Sequence, residues 1–419
     1  MIVLIYWHSF LISYSFICQE MSTTKTKSKK RVRRRDEFLQ MNRARLVHGG
    51  PEFFQLLKKL IDQAKHSIHF QIYIYLEDSA GKYVTDALIN AAKRGVKVYL
   101  LVDGYASQKL SKEFRKTLAE AGIGFRFFEP LLKSRHFYFG RRLHHKIIVV
   151  DGIYALEGSM NVSDKYFNPP NEETWLDIAM YVEGEAALEL HKICWNFWTR
   201  KKSRIVPLPE ETLSYPKSIP KEERIPIRIR QNDWVNRKQQ VSRTYRFMFK
   251  NAKETLSILC SYFIPSWNML DELKKAVRRG VEVKIVLAGL SDVKIAKAAE
   301  RYLYRWMLRN KIKLYEYQPA ILHAKFAVMD KSFATLGSYN VNNMSAYASV
   351  ELNLDVEHKS FAEEVQHEID ELIRKDCKEI DLETYNSNLI SLKQLARWAS
   401  FNFLRIVLKL TTFYLRQRE

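Results

Sequence analysis

His144, Lys146 and Asp151 stand at the same spacing as His323, Lys325 and Asp330, inside two copies of one block. The copies read HHKIIVVDGIYALEGSMNVSD and HAKFAVMDKSFATLGSYNVNN. Ser159 and Asn161 follow the first triplet; Ser338 and Asn340 follow the second. Further on, DIAMYVEG from Asp177 matches ELNLDVEH from Glu351, each with a carboxylate five residues before a valine. Side chains alternate along a strand, so His-x-Lys puts imidazole and ammonium on one face. The apolar run IIVV or FAVM continues that strand into a core. The Gly-Ser-x-Asn turn then brings small side chains, backbone N–H groups and an amide. A nucleophile or acid, a fixed cation and hydrogen-bond donors are what a phosphate centre needs. One His-x-Lys is common and means little by itself. Two copies, each with Ser-x-Asn and a downstream carboxylate, are hard to attribute to chance. Facing each other across a pseudo-twofold axis, they would offer two His, two Lys and two Asn to one phosphate.

The elements that must position these residues are themselves duplicated. Residues 91–104 read AAKRGVKVYLLVDG and residues 276–289 read AVRRGVEVKIVLAG. Each looks like a helix end, a glycine cap (Gly95, Gly280) and a buried strand. Ahead of them lie AKHSIHFQIYIYLED from Ala64 and AKETLSILCSYFIPS from Ala252. Strands are expected near Phe125–Phe128 and Ile312–Tyr317. Helices alternating with short β-branched or aromatic runs imply an α/β fold of two lobes, each a sheet flanked by helices. The expected division is 1–44 as an apolar segment and basic tail, 45–205 as the first lobe, 206–225 as a proline-marked linker, 226–376 as the second lobe, and 377–419 as a basic amphipathic helix.

Composition narrows the partners. The 419 residues carry a formal net charge of +21. That excess suits polyanions, either nucleic acid or an anionic membrane. Lys25–Arg35 holds eight Lys/Arg and no acid, and a second basic cluster lies in the C-terminal tail. Lys393, Arg397, Arg405, Lys409 and Arg416 fall on about half of a helical circumference, with Leu395, Phe403, Val407, Leu410 and Tyr414 largely elsewhere. This predicts either a helix on a membrane surface or one docked on the second lobe. In 131–142, Lys133, Arg135, Arg141 and Arg142 interleave with Phe137, Tyr138 and Phe139; the segment reads as an ordinary loop or as a lipid-facing one. Met1–Cys18 is apolar and uncharged, so it is either a single anchor or sequence ahead of a true start at Met21. As an anchor it would keep the catalytic part on the cytoplasmic face. Cys18, Cys194, Cys260 and Cys377 form no CxxC pair, and no HExxH or tight carboxylate cluster occurs. Neither a disulfide framework nor a metal site is expected. His145, between His144 and Lys146, should face away from the site and pack.

The pattern H-x-K-x4-D followed by G-S-x-N resembles the signature of the phospholipase D superfamily, in both copies and over roughly residues 45–375. LVDGYAS (101–107), SYFIPSWNMLDELKKAVRRGVEVKIVL (261–287) and YEYQPAILHAK (315–325) resemble segments of bacterial cardiolipin synthases. Glu157 stands where relatives often have glycine. The resemblance implies two pseudo-twofold-related lobes sharing one active site, with no cofactor and no metal. It implies that one of His144 and His323 attacks phosphorus and the other acts as acid and base. Lys146 and Lys325 would neutralise phosphoryl oxygens; Ser159, Asn161, Ser338 and Asn340 would bind the phosphate; Asp177 and Glu351 would orient the histidines. Asp151 and Asp330 belong to the catalytic motif, but their place beyond a four-residue strand run predicts that they brace loops. The implied reaction is transfer between phosphatidylglycerols at the cytoplasmic face of a bacterial membrane, with the enzyme peripheral or singly anchored. A hydrolytic phospholipase D and a nuclease of the same chemistry are the alternatives. The aromatic-basic ends favour lipid, and nucleic acid is not expected as a partner. The sequence leaves the oligomeric state and the identity of the nucleophilic histidine open.

Overall fold

A computed structural model of the chain describes residues 37–130, 141–167, 173–199, 208–387, 394–403 and 406. The apolar segment Met1–Cys18, the basic run Lys25–Arg35, and Lys133, Arg135, Phe137, Tyr138 and Phe139 lie outside the described residues. So do Lys393, Arg405, Val407, Lys409, Leu410, Tyr414 and Arg416 of the tail. The chain divides into two units at Leu39/Gln40, and both lobes lie in Gln40–Glu419.

The first lobe runs β1 (Asn42–His48), α1 (Pro51–Asp62), β2 (Ser67–Ile72), α2 (Ser79–Lys93), β3 (Lys97–Asp103), α3 (Lys112–Glu120), β4 (Gly124–Phe128), β5 (Arg142–Leu143), β6 (Lys146–Val150), β7 (Tyr154–Gly158), α4 (Asp164–Phe167), β8 (Ile178–Gly184) and α5 (Glu185–Thr199). After α6 (Glu210–Ser218), the second runs β9 (Ile227–Asp233), β10 (Lys238–Gln239), α7 (Gln240–Asn251), β11 (Thr255–Cys260), α8 (Trp267–Arg278), β12 (Glu282–Leu290), α9 (Lys294–Arg309), β13 (Lys313–Ile321), β14 (Phe326–Met329), β15 (Phe333–Gly337), α10 (Asn343–Tyr347), β16 (Ser349–Glu357), α11 (Lys359–Asp376), β17 (Cys377–Ile380) and α12 (Leu382–Ser387). Among the described residues the first sheet has the order β1-β8-β7-β6-β2-β3-β4. The second repeats it as β9-β16-β15-β14-β11-β12-β13, with β10 and β17 added at the two edges. Both sheets are mixed: β2, β3 and β4 pair in parallel, whereas β6 joins β2 antiparallel.

The duplicated sequence accounts for the duplicated form. Gly95 and Gly280 close α2 and α8 with φ of +91° and +92°, a left-handed turn that costs glycine least. The strands that follow, β3 and β12, are apolar because helices cover them. Helix α1 buries Phe53, Phe54, Leu57, Leu60 and Ile61 against the first sheet. Each such burial contributes roughly 1.5–3 kcal/mol. The lobes meet through β7 and β8 of the first and β15 and β16 of the second.

Two boundaries differ from the sequence expectation. The stretch 206–225 contains α6, whose Thr212 hydroxyl donates to Asp151 O at 3.2 Å, so it packs on the first lobe rather than merely linking. Residues Cys377–Ile380 are a strand on β13, not the start of a helix. β-branched and aromatic positions on β13 offered an open edge, which β17 covers. Among the described residues no helix is long and apolar enough to cross a membrane.

Candidate active site

Two strand exchanges between the lobes build the site. β5, which ends one residue before His144, runs parallel to the start of β16 and sets Leu143 beside Val350. Its counterpart is a parallel bridge between Leu176 and Leu322. The His144 N–H donates to Val350 O at 2.9 Å, and the His323 N–H donates to Leu176 O at 2.7 Å. Glu351 follows Val350, and Asp177 follows Leu176. Each lobe therefore hands its carboxylate to the other lobe's histidine. His144 Nδ1 lies 2.9 Å from Glu351 Oε2. His323 Nδ1 lies 2.8 Å from Asp177 Oδ2. Both carboxyl groups are buried, and an ionised carboxylate only accepts. The proton thus sits on Nδ1 of each ring, and Nε2 carries the lone pair.

The lysines stand two residues further along each strand, and each ammonium donates back to the carbonyl of its histidine, His144 or His323. Their other contacts differ. Lys146 Nζ sits 5.2 Å over the Tyr73 ring, whereas Lys325 Nζ donates to Ser261 Oγ at 3.0 Å. Tyr73 and Ser261 occupy the same position of the repeat, where β2 and β11 end. The rings around the histidines differ too. Tyr73 meets His144 at 4.9 Å, while Tyr166 and Trp175 meet His323 at 5.3 and 5.9 Å.

Known proteins are similar to this chain across both repeats. A family model described as cardiolipin synthase, PLD-like domain, matches residues 57–198 and again 245–373. Cardiolipin synthase B of Shigella flexneri is 31% identical over 348 residues, covering 81% of this chain and 82% of that protein. Cardiolipin synthase B of Salmonella typhimurium is 32% identical over 353 residues, with coverage of 81% and 82%. The chain belongs to the phospholipase D-like cardiolipin synthase family. In fold it is similar to the phosphatidylserine synthase of Haemophilus influenzae, with a TM-score of 0.70 at 15% identity over 92% of this chain and 99% of that one. Family membership makes the chain a phosphatidyltransferase of phospholipase D type.

Within that family's motif the remaining residues divide by what they touch. The buried hydroxyls of Ser159 and Ser338 donate to Asp177 and Glu351. They fix the carboxylates that fix the imidazoles. Asn161 accepts the Ile74 N–H at 3.1 Å and donates to Tyr166 Oη at 3.1 Å. Asn340 Oδ1 lies 3.8 Å from Cys260 Sγ. Asp151 and Asp330 sit about 16 Å along the strand from their lysines, at a strand rise of ~3.3 Å per residue. Asp151 accepts the N–H groups of Lys65, His66 and Ser67, each at 2.8 Å. Asp330 does the same for Lys253, Glu254 and Thr255. Both have positive φ, 54° and 51°, which aspartate tolerates better than most residues. They pin each hairpin to the start of β2 or β11, away from the two lysines. His145 points the other way from the site, with Nε2 2.9 Å from Gln71 and its ring on Phe197.

The strap before His144 is held by a group that the sequence reading missed. Buried Asp103 accepts the Leu143 N–H at 2.8 Å and lies 3.5 Å from Arg142. The second repeat has Ala288 at that position, so no symmetry argument points to it. Arg141 makes a paired bond to Asp233 at 3.1 and 2.8 Å. Arg141 and Arg142 are therefore internal braces, not cations turned toward lipid.

Electrostatics join the two halves. Burial lowers the His144 pKa; Glu351 opposes this, and Lys146 and Lys325 add to it. Burial and Lys325 bring His323 down to about 4, against the pull of Asp177. Burial brings Lys146 down to about 7, with Glu351 opposing and Lys325 adding. Lys325 is lowered as well, again by burial first. Each lobe's lysine thus acts on the other lobe's histidine, as expected of one site. Glu157 is buried with neither carboxyl oxygen hydrogen-bonded, and burial raises its pKa well above the ordinary value.

Proposed function

We propose that the chain is a cardiolipin synthase-type transphosphatidylase that acts on phosphatidylglycerol through a covalent phosphatidyl-histidine. The pair of crossed imidazole–carboxylate bonds supports this reading most strongly. Each imidazole keeps Nδ1–H on a buried carboxylate, which leaves its Nε2 lone pair for phosphorus, and each stands two residues from a lysine. In the first half-reaction one Nε2 attacks phosphorus, an N–P bond forms, and the P–O bond to the glycerol headgroup breaks. The other histidine, protonated once the anionic diester is bound, gives its proton to the departing glycerol oxygen. In the second half-reaction that histidine takes the proton from a hydroxyl of a second phosphatidylglycerol. The hydroxyl oxygen attacks phosphorus and the N–P bond breaks. Cardiolipin leaves, and both rings are restored. Lys146 and Lys325 offset charge on the non-bridging oxygens, a form of electrostatic stabilisation that is large where water is scarce. Asn161 and Asn340 are the amides that would donate hydrogen bonds to the same oxygens.

The test is incubation with labelled phosphatidylglycerol and, separately, plasmid DNA, with EDTA in both. The reading requires cardiolipin and free glycerol from the first and intact plasmid from the second. Phosphatidic acid as the sole lipid product would make the enzyme a hydrolase. DNA cleavage would make it a nuclease. Loss of activity with EDTA and its return with Mg²⁺ would remove the metal-free mechanism.

A further inference from the structure

The terminal helical segment 394–403 is docked the wrong way round for a surface in water. Phe401, 5% exposed, packs on Tyr302 and Trp267 with ring centroids 4.9 and 6.4 Å away. Arg397 lies over the Tyr385 ring at 5.4 Å and donates to its hydroxyl at 3.3 Å. The one described cation of the expected basic face is thus turned onto the second lobe. At 100° per residue Leu395 lies on the opposite side, Trp398 on its flank and Phe403 on the opposite side again, and Ile406 follows. These are 62%, 51%, 55% and 57% exposed. Water-facing helices carry polar residues on that side, so an outward apolar arc marks a surface that something covers.

The arc continues into the rim of the site. Trp267, Leu290, Val293, Ile295 and Met344 are also large, apolar and exposed. Trp267 opens α8 just after Ser261, the partner of Lys325. Leu290 and Val293 flank Asp292, which accepts a hydrogen bond from Tyr262 and whose charge acts on Lys325. Met344 lies four residues after Asn340, in a turn tied to Ile264 by a bridge with Asn342. All five leave the end of the second sheet that carries His323 and Lys325.

We propose that this arc and rim are the face that the enzyme presses into an anionic phospholipid bilayer, so that the lipid reaches the site from the second-lobe side. The inference rests on the phosphatidyltransfer reading, because continuity with a lipid-accepting site is what selects a bilayer as the occupant. The net charge of +21 suits an anionic surface, and indoles at two positions suit the headgroup boundary. The apolar side chains, not the cation at 397, are then what enters the lipid.

The full chain is mixed with vesicles of phosphatidylglycerol and phosphatidylcholine, and compared with Leu395→Ser/Trp398→Ser/Ile406→Ser and with Val293→Ser/Ile295→Ser. The expected result is at least about a tenfold weaker vesicle binding for each, since several apolar side chains no longer leave water. Turnover of a short-chain, monomeric phosphatidylglycerol should stay within about twofold. Trp398→Phe should also lose part of the fluorescence that brominated lipid quenches, which reads contact without disturbing the fold. Unchanged vesicle binding overturns the proposal, and so does unchanged quenching in Trp398→Phe. It is equally overturned if the parent is a dimer without lipid, the variants are monomers, and vesicle binding is the same; a second copy then covers the arc. A parent that binds vesicles through this face yet converts no phospholipid would refute the reaction and leave the docking face standing.

Discussion

Asp177→Asn tests the crossed pairing directly. Asp177 Oδ2 is 2.8 Å from His323 Nδ1, while Oδ1 accepts the Ile178 N–H at 2.8 Å and the Ser159 hydroxyl. An asparagine can keep the Oδ1 contacts, but its NH₂ then faces His323 Nδ1–H, donor against donor. The ring escapes by moving its proton to Nε2, which removes the lone pair from the reacting atom. Loss of a charge-assisted bond costs about 1.5–3 kcal/mol, or roughly 10- to 150-fold in rate. The wrong tautomer adds to this, as in serine-hydrolase triads, so kcat should fall about 10²- to 10⁴-fold. Glu351→Gln should cost less, because Oε2 takes both His144 Nδ1–H and the Ser338 hydroxyl while Oε1 has no hydrogen-bond partner, so the amide oxygen can keep both contacts and only the charge is lost. The assay is turnover of phosphatidylglycerol, paired with the NMR signal of the imidazole Nδ1–H. Asp177→Asn should erase the His323 signal and leave that of His144, although Asp177 belongs to the His144 lobe. Retention of more than a tenth of the rate, or loss of the His144 signal instead, would refute the reasoning.

Three further outcomes follow from the same geometry. Lys146 is held down to about 7 by burial, so raising the pH through 7 removes its charge from the free enzyme, and kcat/KM should fall there; kcat should hold to higher pH because a bound phosphate restores the proton. An alkaline limb of kcat/KM only near the ordinary lysine value would contradict this. Asp151→Ala should lower unfolding free energy by about 2–4 kcal/mol, through three backbone N–H groups that lose a charged acceptor, while kcat on monomeric lipid changes less than about threefold; denaturant titration and kinetics read the two effects separately. Glu157→Leu, which copies Leu336 of the second repeat, should stabilise the protein by about 1–3 kcal/mol because it removes a buried carboxyl without partners, and an unchanged or lower Tm would count against that account.

The two lobes were legible in the sequence because their signals are local. A helix end, a glycine and an apolar strand repeat as one block, and His-x-Lys fixes two side chains on one face whatever surrounds them. The crossing was not legible. Which carboxylate meets which imidazole depends on β5 pairing with β16 and Leu176 with Leu322, contacts between residues far apart in the chain. The bonds of Ser159 and Ser338 to Asp177 and Glu351 were not legible either, because spacing does not show which acceptor a hydroxyl meets. Tyr73 and Ser261 share a repeat position at the ends of β2 and β11, so strand order would have placed both beside a lysine. Nothing in the repeat marks Asp103, whose counterpart is alanine. The tail's two readings could not be separated in the sequence for a physical reason. Periodicity separates a basic from an apolar side but does not say which side docks, and here Arg397 finds a buried tyrosine while Trp398 faces out.

The central claim is a covalent phosphatidyl-histidine formed where the lobes meet. Rapid quenching of the enzyme with phosphatidylglycerol labelled at phosphorus, followed by peptide mapping, tests it most directly. The account predicts an acid-labile, base-stable adduct on one histidine only, either His144 or His323, formed and consumed as fast as cardiolipin appears. Steady turnover with no adduct on either histidine, or an adduct on any other residue, would contradict it.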